Sequence, residues 1–185
     1  MNRRDWIAAL LVAGLGASWG PGHARTSAEE PLATRSIAVL DFELVDEQNN
    51  PLTKAAQVRR LRNATLQLRE ALAEARLYVV VDPAPSQALQ DRMRAHQAFL
   101  YRCVDCAVQV GRLLEVDLVM TPWVQKVSEL ILNLNVQIHD VKADRILFSK
   151  SVDLRGNDDR SWTRAVRYLV RDMAEKRARN PAYAQ

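Results

Sequence analysis

Alternation of apolar and polar side chains is clearest in the last third of the chain, where it predicts a half-buried antiparallel strand. Apolar residues occupy every second position from Leu130 to Ile138, and polar side chains alternate with them from Asn133 onward. One face of such a strand packs on a core while the other meets solvent. The polar set comprises Asn133, Asn135, Gln137 and His139.

Helical periodicity appears in two longer segments, where apolar residues recur every three or four positions. Such a stripe predicts a helix that packs one face on a core. The first segment spans residues 54–75. The second closes the chain, and Asn157 or Asp158 is predicted to cap its first amide groups. Its apolar stripe consists of Trp162, Ala165, Val166, Leu169, Val170 and Met173.

Shorter patterns complete the predicted elements. Further strands are expected at 36–44, 78–81, 117–127 and 145–154, beside the alternating strand at 129–141, and further helices at 86–99, where Ser86 is a plausible cap, and at 103–114. The order β-α-β-α-α-β-β-β-α predicts an α/β fold, a single two-layer sandwich with a mixed sheet. We expect the first two strands to be parallel and the last three to form an antiparallel meander. The helices should lie mainly on one face.

Composition supports one exported globular domain. The 185 residues are 48% hydrophobic and 26% charged, which is ordinary for a folded domain. Arg3 and Arg4 precede a mildly apolar run from Trp6 to Trp19, and small residues follow at Gly22-His23-Ala24. This pattern is typical of a cleaved signal peptide, because the run is shorter than the ~20 residues that span a bilayer. Sec and twin-arginine export both stay open, and both lead to the bacterial periplasm.

The predicted organisation is therefore a signal peptide at 1–24, a leader at 25–35, one domain at 36–177 and a flexible tail at 178–185. The formal charge is +4 for the whole chain. Removal of the signal takes away two Arg and one Asp and leaves +3. No basic patch interleaved with aromatic residues is visible in the sequence, so nucleic acid is not predicted as a partner, and no membrane span is expected after cleavage.

Cys103 and Cys106 are the most specific chemical feature. An even cysteine count in an oxidising compartment predicts a structural disulfide. The alternative is thiol–disulfide exchange, which the neighbouring Arg102 favours by stabilising a thiolate. Exchange sites of the thioredoxin kind follow a strand, whereas residues 86–99 indicate a helix. The structural hypothesis is preferred.

Cofactor and metal motifs do not fit the sequence. Covalent haem attachment needs His where Ala107 stands. Structural zinc needs four ligands, and the predicted mature chain offers the two cysteines, His96 and His139 without the usual pairing. No cofactor, no metal and no catalytic residue is therefore predicted.

A polar row on the predicted meander is the preferred binding surface. Alternation places side chains of three adjacent strands on one face, and Trp and amide groups suit contact with a partner or a polar ligand. The alternative is an ordinary solvated sheet face. The surface comprises Trp123, Gln125, Asn133, Asn135, Gln137, Ser151 and Asp153. His139 is expected to be a surface residue. Asp41 and Glu43 are expected to share a strand face, with Asp41 accepting hydrogen bonds from loop amides.

Four motifs in order resemble a family of small secreted proteobacterial proteins classed as a domain of unknown function. They are the run 36–44, Cys103-x-x-Cys106, the stretch 123–135, and the stretch 151–157 with Ser161-Trp162. The resemblance extends to the amino-terminal domain of TolB, and it implies a small α/β fold used for protein contacts. Members are often encoded beside pyrroloquinoline-quinone (PQQ)-dependent alcohol dehydrogenases and c-type cytochromes. That association implies an accessory role and transfers no catalytic residue.

Three functions compete on these observations. The preferred hypothesis is a non-enzymatic periplasmic interaction module that binds a protein partner and supports a quinoprotein dehydrogenase or an envelope system. The second is a small-molecule or cofactor-binding protein that uses the same polar face. The third is a thiol oxidoreductase built on the cysteine pair.

Overall fold

The computed structural model describes residues 34–185, which contain one sheet of six strands, four α-helices and two single-turn 3₁₀ helices. The predicted signal peptide and residues 25–33 of the leader lie outside the described residues. The elements are β1 (Ser36–Val39), β2 (Glu43–Asp46), α1 (Lys54–Glu74), β3 (Val79–Val81), α2 (Gln87–Arg94), α3 (Val104–Leu113), β4 (Leu118–Lys126), β5 (Ile131–Asp140), β6 (Arg145–Arg155) and α4 (Asp159–Arg179). The 3₁₀ helices are Ala84–Ser86 and Leu100–Arg102.

The sheet is mixed, with strand order β3-β1-β4-β5-β6. β1 is parallel to β3 and to β4, and β2 continues alongside β4 in the same direction. β4, β5 and β6 form an antiparallel meander. The predicted fold class is confirmed: this is an α/β sandwich whose first strands are parallel and whose last three strands run up and down.

The two faces of the sheet are covered to different extents. α1 and α4 pack on one face and bury the larger core, which includes the complete predicted stripe of the closing helix. On the other face, α2, α3 and the 3₁₀ helix Leu100–Arg102 bury a smaller cluster around Ala38, Leu40 and Val119. The two helices that bury the larger core, α1 and α4, thus lie on one face, as predicted for the long and closing helices. The second face is covered mainly over β1 and β4.

The first strand differs from its prediction because it is broken between Val39 and Glu43. Side chains of α1 bind the backbone there: the Phe42 amide donates to Thr65 Oγ1 at 3.0 Å, and Arg69 donates to the Val39 carbonyl at 2.7 and 3.0 Å. Backbone groups held by α1 cannot join the sheet ladder. β1 and β2 are therefore two strands on one side of β4.

The helix predicted at 86–99 is also shorter, since α2 ends at Arg94. The Ser86 side chain does not cap it. The Ser86 hydroxyl instead donates back to the Pro83 carbonyl at 2.7 Å and accepts from Gln90 Nε2 at 2.9 Å. Asp158 does cap α4, because its carboxylate accepts from the Ser161 amide at 2.8 Å.

The carboxyl-terminal residues, predicted as a flexible tail, make packing contacts. α4 continues to Arg179, and the chain then folds back so that Ala184 is buried in the main core. Arg177 donates to the carbonyls of Leu77, Tyr183 and Ala184. Tyr78 donates its hydroxyl to the Ala184 carbonyl. These bonds attach the tail to the segment between α1 and β3.

Lys126 is a charged side chain with no exposed surface. Its ammonium lies 3.2 Å from Asp46 and 2.6 Å from Glu129. Burial opposes the charge of Lys126, but the hydrogen bonds to the two carboxylates outweigh it and raise the lysine pKa above its ordinary value. Glu129 also accepts from Asn157 at 2.8 Å. The lysine thereby joins β2, the β4–β5 turn and the approach to α4.

Candidate functional site

The predicted binding residues lie on one face of the meander. The register pairs Trp123 with Asn135, and Asn135 with Ser151. One row further, Gln125 pairs with Asn133, and Asn133 pairs with Asp153. Paired residues share a face in a sheet. A third row is formed by Thr121, Gln137 and Ser149. All seven predicted residues are therefore brought together, and we call them, with Thr121 and Ser149, the polar face.

Hydrogen bonds within the polar face leave much of its capacity free. Asn133 Nδ2 donates to Asp153 Oδ1 at 2.6 Å, and Asn135 Nδ2 donates to the Asn133 carbonyl at 3.1 Å. The Gln137 side-chain oxygen has no hydrogen-bond partner among the described residues, but it is buried and does not reach the surface. The partly exposed amides of Gln125, Asn133 and Asn135 can bind a partner's backbone or polar side chains.

An aromatic border stands at one edge of the polar face. Tyr101 stacks on Trp123, with ring centroids 4.2 Å apart and planes 7° from parallel. Phe99 lies 5.6 Å from Tyr101, and the Arg102 guanidinium lies over both rings. Tyr101 and Trp123 are each partly exposed. Aromatic side chains with an arginine are the residues most enriched where proteins bind one another.

Two devices hold the aromatic border in place. Glu43, directly beside Trp123 in the β2–β4 register, accepts hydrogen bonds from the amides of Leu100 and Tyr101 at 3.0 and 3.1 Å. The disulfide Cys103–Cys106 closes the chain immediately after this turn. The Cys103 sulfur also accepts from the Cys106 amide at 3.2 Å and so caps α3. The 3₁₀ helix is therefore fixed at both ends.

The cysteine pair forms the predicted disulfide at the start of α3. Cys106 is buried with Leu100, Ala107 and Val110 in the smaller cluster, whereas Cys103 is partly exposed. A structural role for the disulfide stays a prediction. Within residues 34–185 both cysteines are disulfide-bonded.

The prediction that His139 lies at the surface is wrong. It has no exposed surface, and its Nε2 is hydrogen-bonded to Thr121 Oγ1 at 3.0 Å. Its register partner Val119 belongs to the cluster beneath α3, which packs against β5 at this end. Burial lowers the pKa of His139 to about 4 because the charged imidazolium loses its hydration. The imidazole is a neutral core residue at the end of the polar row.

The predicted carboxylate pair is also separated. Asp41 is exposed beyond β1 and accepts from Arg69 of α1 at 2.9 Å. Glu43 points to the opposite side and binds the loop amides. The chain leaves the sheet between β1 and β2, which interrupts the alternation of side chains. Asp41 and Glu43 therefore do not share a face. Glu43, and not Asp41, accepts the loop amides.

Four residues of the site were not found from the sequence: Glu43 in this role, Phe99, Tyr101 and Arg102. A usable signal was present, since two aromatic residues and an arginine directly precede Cys103. A disulfide at that point limits the motion of the adjoining turn, so side chains beside it are well placed to form a rigid contact surface.

Among residues 34–185, no group of three or more His, Cys, Asp or Glu side chains could hold a metal ion. In the same part of the chain, none of the helices combines the length and apolar character that crossing a membrane requires.

The chain belongs to a family of unknown function. The family model DUF3280, described as "Protein of unknown function (DUF2380)", matches residues 35–173. The expected membership in a domain-of-unknown-function family is thus confirmed. A search of the curated proteins found no match.

Several solved structures resemble the chain at low identity. The LpoB C-terminal domain from Salmonella enterica is 18% identical with a TM-score of 0.43, over 69% of this chain and 87% of that one. A PelC dodecamer from Paraburkholderia phytofirmans is 12% identical with a TM-score of 0.49, over 82% and 89%. TolB from Acinetobacter baumannii is 12% identical with a TM-score of 0.41, over 82% of this chain and 29% of TolB. At these identities and TM-scores, the similarities carry no information about function.

Proposed function

We propose that this protein is a non-enzymatic interaction module of the bacterial periplasm, and that it binds a protein partner through the polar face and its aromatic border. The observation that carries the proposal is the stack of Tyr101 on Trp123 at the edge of an amide-lined sheet face. The export signal predicted at residues 1–24 supports the compartment, and the disulfide is consistent with an oxidising environment.

A protein partner suits this surface better than a small molecule. The polar face is an open sheet surface without the enclosed apolar lining of most small-ligand sites. Its centre carries amides and its edge carries rigid aromatic rings with a guanidinium, which together resemble the composition of protein interfaces. Because the Glu43 hydrogen bonds and the disulfide fix the border before binding, little conformational entropy is lost on association.

The test is a cross-linked pull-down of the tagged protein from intact periplasm, read by mass spectrometry. A reproducible partner should be captured by the wild type and should disappear with Trp123→Ala and with Asn135→Ala. The matched control is Asn63→Ala, which removes an exposed amide of α1 far from the polar face. Circular dichroism and thermal melting establish that each variant folds.

The variants separate the possible outcomes. Capture that persists in both Trp123→Ala and Asn135→Ala would remove the polar face as the contact surface. Failure of capture with Trp123→Ala alone, accompanied by a large fall in melting temperature, would indicate that the border is disturbed and not that a binding group is missing. An equal effect of Asn63→Ala would show that the result is not specific to this face.

The partner to test first is a quinoprotein dehydrogenase system. This choice rests on the resemblance to proteins encoded beside PQQ-dependent alcohol dehydrogenases. Capture of a dehydrogenase or its cytochrome from periplasm would identify the accessory role. Capture of an outer-membrane or cell-wall assembly protein instead would assign the module to an envelope system.

A further inference from the structure

A groove of about 490 Å³ runs between β6 and α4, on the side of the molecule opposite β3. Its β6 wall consists of Ser151 to Arg155, and its α4 wall includes Arg164, Ala165 and Tyr168. Residues from both faces of β6 line it, so the groove follows the edge of the sheet. It shares Ser151 and Asp153 with the margin of the polar face and differs from that face in the arginines that border it.

The outer edge of β6 offers free backbone hydrogen-bonding groups along this groove up to its end, where the Arg155 carbonyl accepts from Ser161 Oγ at 3.1 Å. β6 has eleven residues, and within residues 34–185 it pairs with β5 on one side and with no strand on the other. Long open edges are normally protected by a lysine pointing outward. The lysine of β6, Lys150, bonds to Asp172 of α4 and lies 5.8 Å from the Tyr168 ring centroid. It is turned onto the helix and leaves the edge open.

Positive charge is concentrated on the helix that borders the groove. Arginines recur every three or four residues along one exposed stripe of α4, which we call the arginine stripe: Arg160, Arg164, Arg167 and Arg171. In the described part of the chain, Arg160 and Arg167 form no ion pair, and Arg171 has a weak one with Glu175 at 3.8 Å. Arg155 adds a further positive charge from the end of β6.

Two of the acidic groups near the groove are paired with cations. Asp172 is held by Lys150 and by Lys176, the latter at 3.1 Å. Asp153 lines the groove and keeps its negative charge, because its partner Asn133 is a neutral amide. Asp159 at the start of α4 binds Arg60 at 2.7 Å. The stripe therefore presents a net positive field beside the open strand edge.

We propose that the edge of β6 and the arginine stripe form a docking site for an extended acidic segment of a partner protein. The segment adds to the sheet as a further strand, through main-chain hydrogen bonds to β6, and its carboxylates face the arginines. Strand addition to an open edge is a general mode of peptide recognition. The charge complementarity selects acidic sequences and speeds their association. The site shares Ser151 and Asp153 with the polar face, but the arginines that define it lie on α4, so variants of α4 and variants of Trp123 or Asn135 test the two sites separately.

The test uses the chain from residue 25 and a fluorescein-labelled peptide of about ten residues, a length that matches β6, in which Glu alternates with Val or Thr. Fluorescence anisotropy should report saturable binding that weakens with added salt. Arg164→Glu with Arg167→Glu should weaken binding by more than about tenfold. The matched control, Arg62→Glu with Arg92→Glu, changes the net charge equally on α1 and α2 and should leave the affinity nearly unchanged.

Two further probes test the strand geometry and the source of the acidic groups. The same peptide with N-methyl groups on alternate residues cannot form the ladder and should not bind, and amide exchange in β6 should slow only with the unmethylated peptide. Undetectable binding of the unmethylated peptide at low salt would overturn the proposal. Equal binding of the N-methylated peptide, or an equal loss of affinity in the control variant, would overturn it too. Tighter binding to vesicles of anionic phospholipid than to the peptide would also overturn it, in favour of a membrane surface.

Discussion

The two faces of strand β5 show how one segment can serve stability and recognition at the same time. Leu132, Leu134, Val136 and Ile138 are fully or almost fully buried under α1 and α4. Asn133, Asn135 and Gln137, between them, are only partly buried and keep free hydrogen-bonding groups on the polar face. Because side chains alternate in a strand, each residue contributes to one function, and substitutions of neighbours should have opposite consequences.

The largest expected effect comes from Leu134→Ala. Leu134 has no exposed surface and lies in the main core, so truncation leaves a cavity and should lower the free energy of unfolding by about 3 to 4 kcal/mol. Asn135→Ala, one residue further, should change it by less than about 0.5 kcal/mol. Urea denaturation of both variants measures the difference. Similar decreases in the two variants would contradict the division between the faces.

The second prediction concerns His139, where the division between the faces fails. Its pKa is about 4 in the folded protein and about 6.5 in the unfolded chain. Between these values the unfolded chain binds the extra proton, so the free energy of unfolding falls as the pH drops from about 6.5 to about 4. Linkage gives a decrease of about 3 kcal/mol across this window. Urea denaturation at a series of pH values should show it.

The matched controls for His139 isolate the imidazole. In His139→Gln the decrease in stability between pH 6.5 and 4 should largely disappear, whereas His96→Gln, which changes an exposed histidine, should retain it. The carboxylates whose pKa is lowered by ion pairs, such as Asp46 with Lys126, act mainly below their unfolded values near 4. A pH dependence that His139→Gln leaves intact would assign the effect to those carboxylates.

The fold was predictable from sequence wherever the pattern of apolar and polar positions within a single strand or helix shows which side chains are buried. The alternation of β5 indicated its two faces, and the stripe of α4 indicated its buried residues. These patterns are local, because a strand or helix exposes a fixed set of positions to a core. The seven residues predicted for the binding surface could be placed together for the same reason: three antiparallel strands in sequence pair with their neighbours.

The errors arose where distant elements decide the environment. His139 continues the polar alternation of β5, but α3 covers that end of the sheet and buries it. The break at Leu40 to Phe42 depends on Thr65 and Arg69 of α1, which no pattern within the first strand contains. The contact of Tyr101 with Trp123 joins a turn to a strand 22 residues later. Tertiary contacts of this kind leave no periodic signal in the sequence.

The third prediction tests how the aromatic border is held. Cys103→Ala with Cys106→Ala removes the disulfide that closes a short loop, which should lower the free energy of unfolding by about 2 kcal/mol. The near-ultraviolet circular dichroism of the Tyr101–Trp123 stack should weaken. The far-ultraviolet signal of the helices should stay unchanged. Wild-type protein treated with a reducing agent is the matched comparison. An unchanged aromatic spectrum would show that the Glu43 hydrogen bonds hold the border without the disulfide.

Tyr101→Leu is expected to lower stability less than the loss of the disulfide does. The substitution removes the stack on Trp123 but keeps an apolar side chain, and an aromatic pair contributes about 1 kcal/mol. Tyr101→Phe keeps the stack and should retain both stability and partner capture. Leu134→Ala should lower stability without altering any side chain of the polar face, whereas Tyr101→Leu should reduce partner capture far more than it reduces melting temperature. If capture fell only in proportion to stability in both variants, the border would be a part of the core and not a recognition surface.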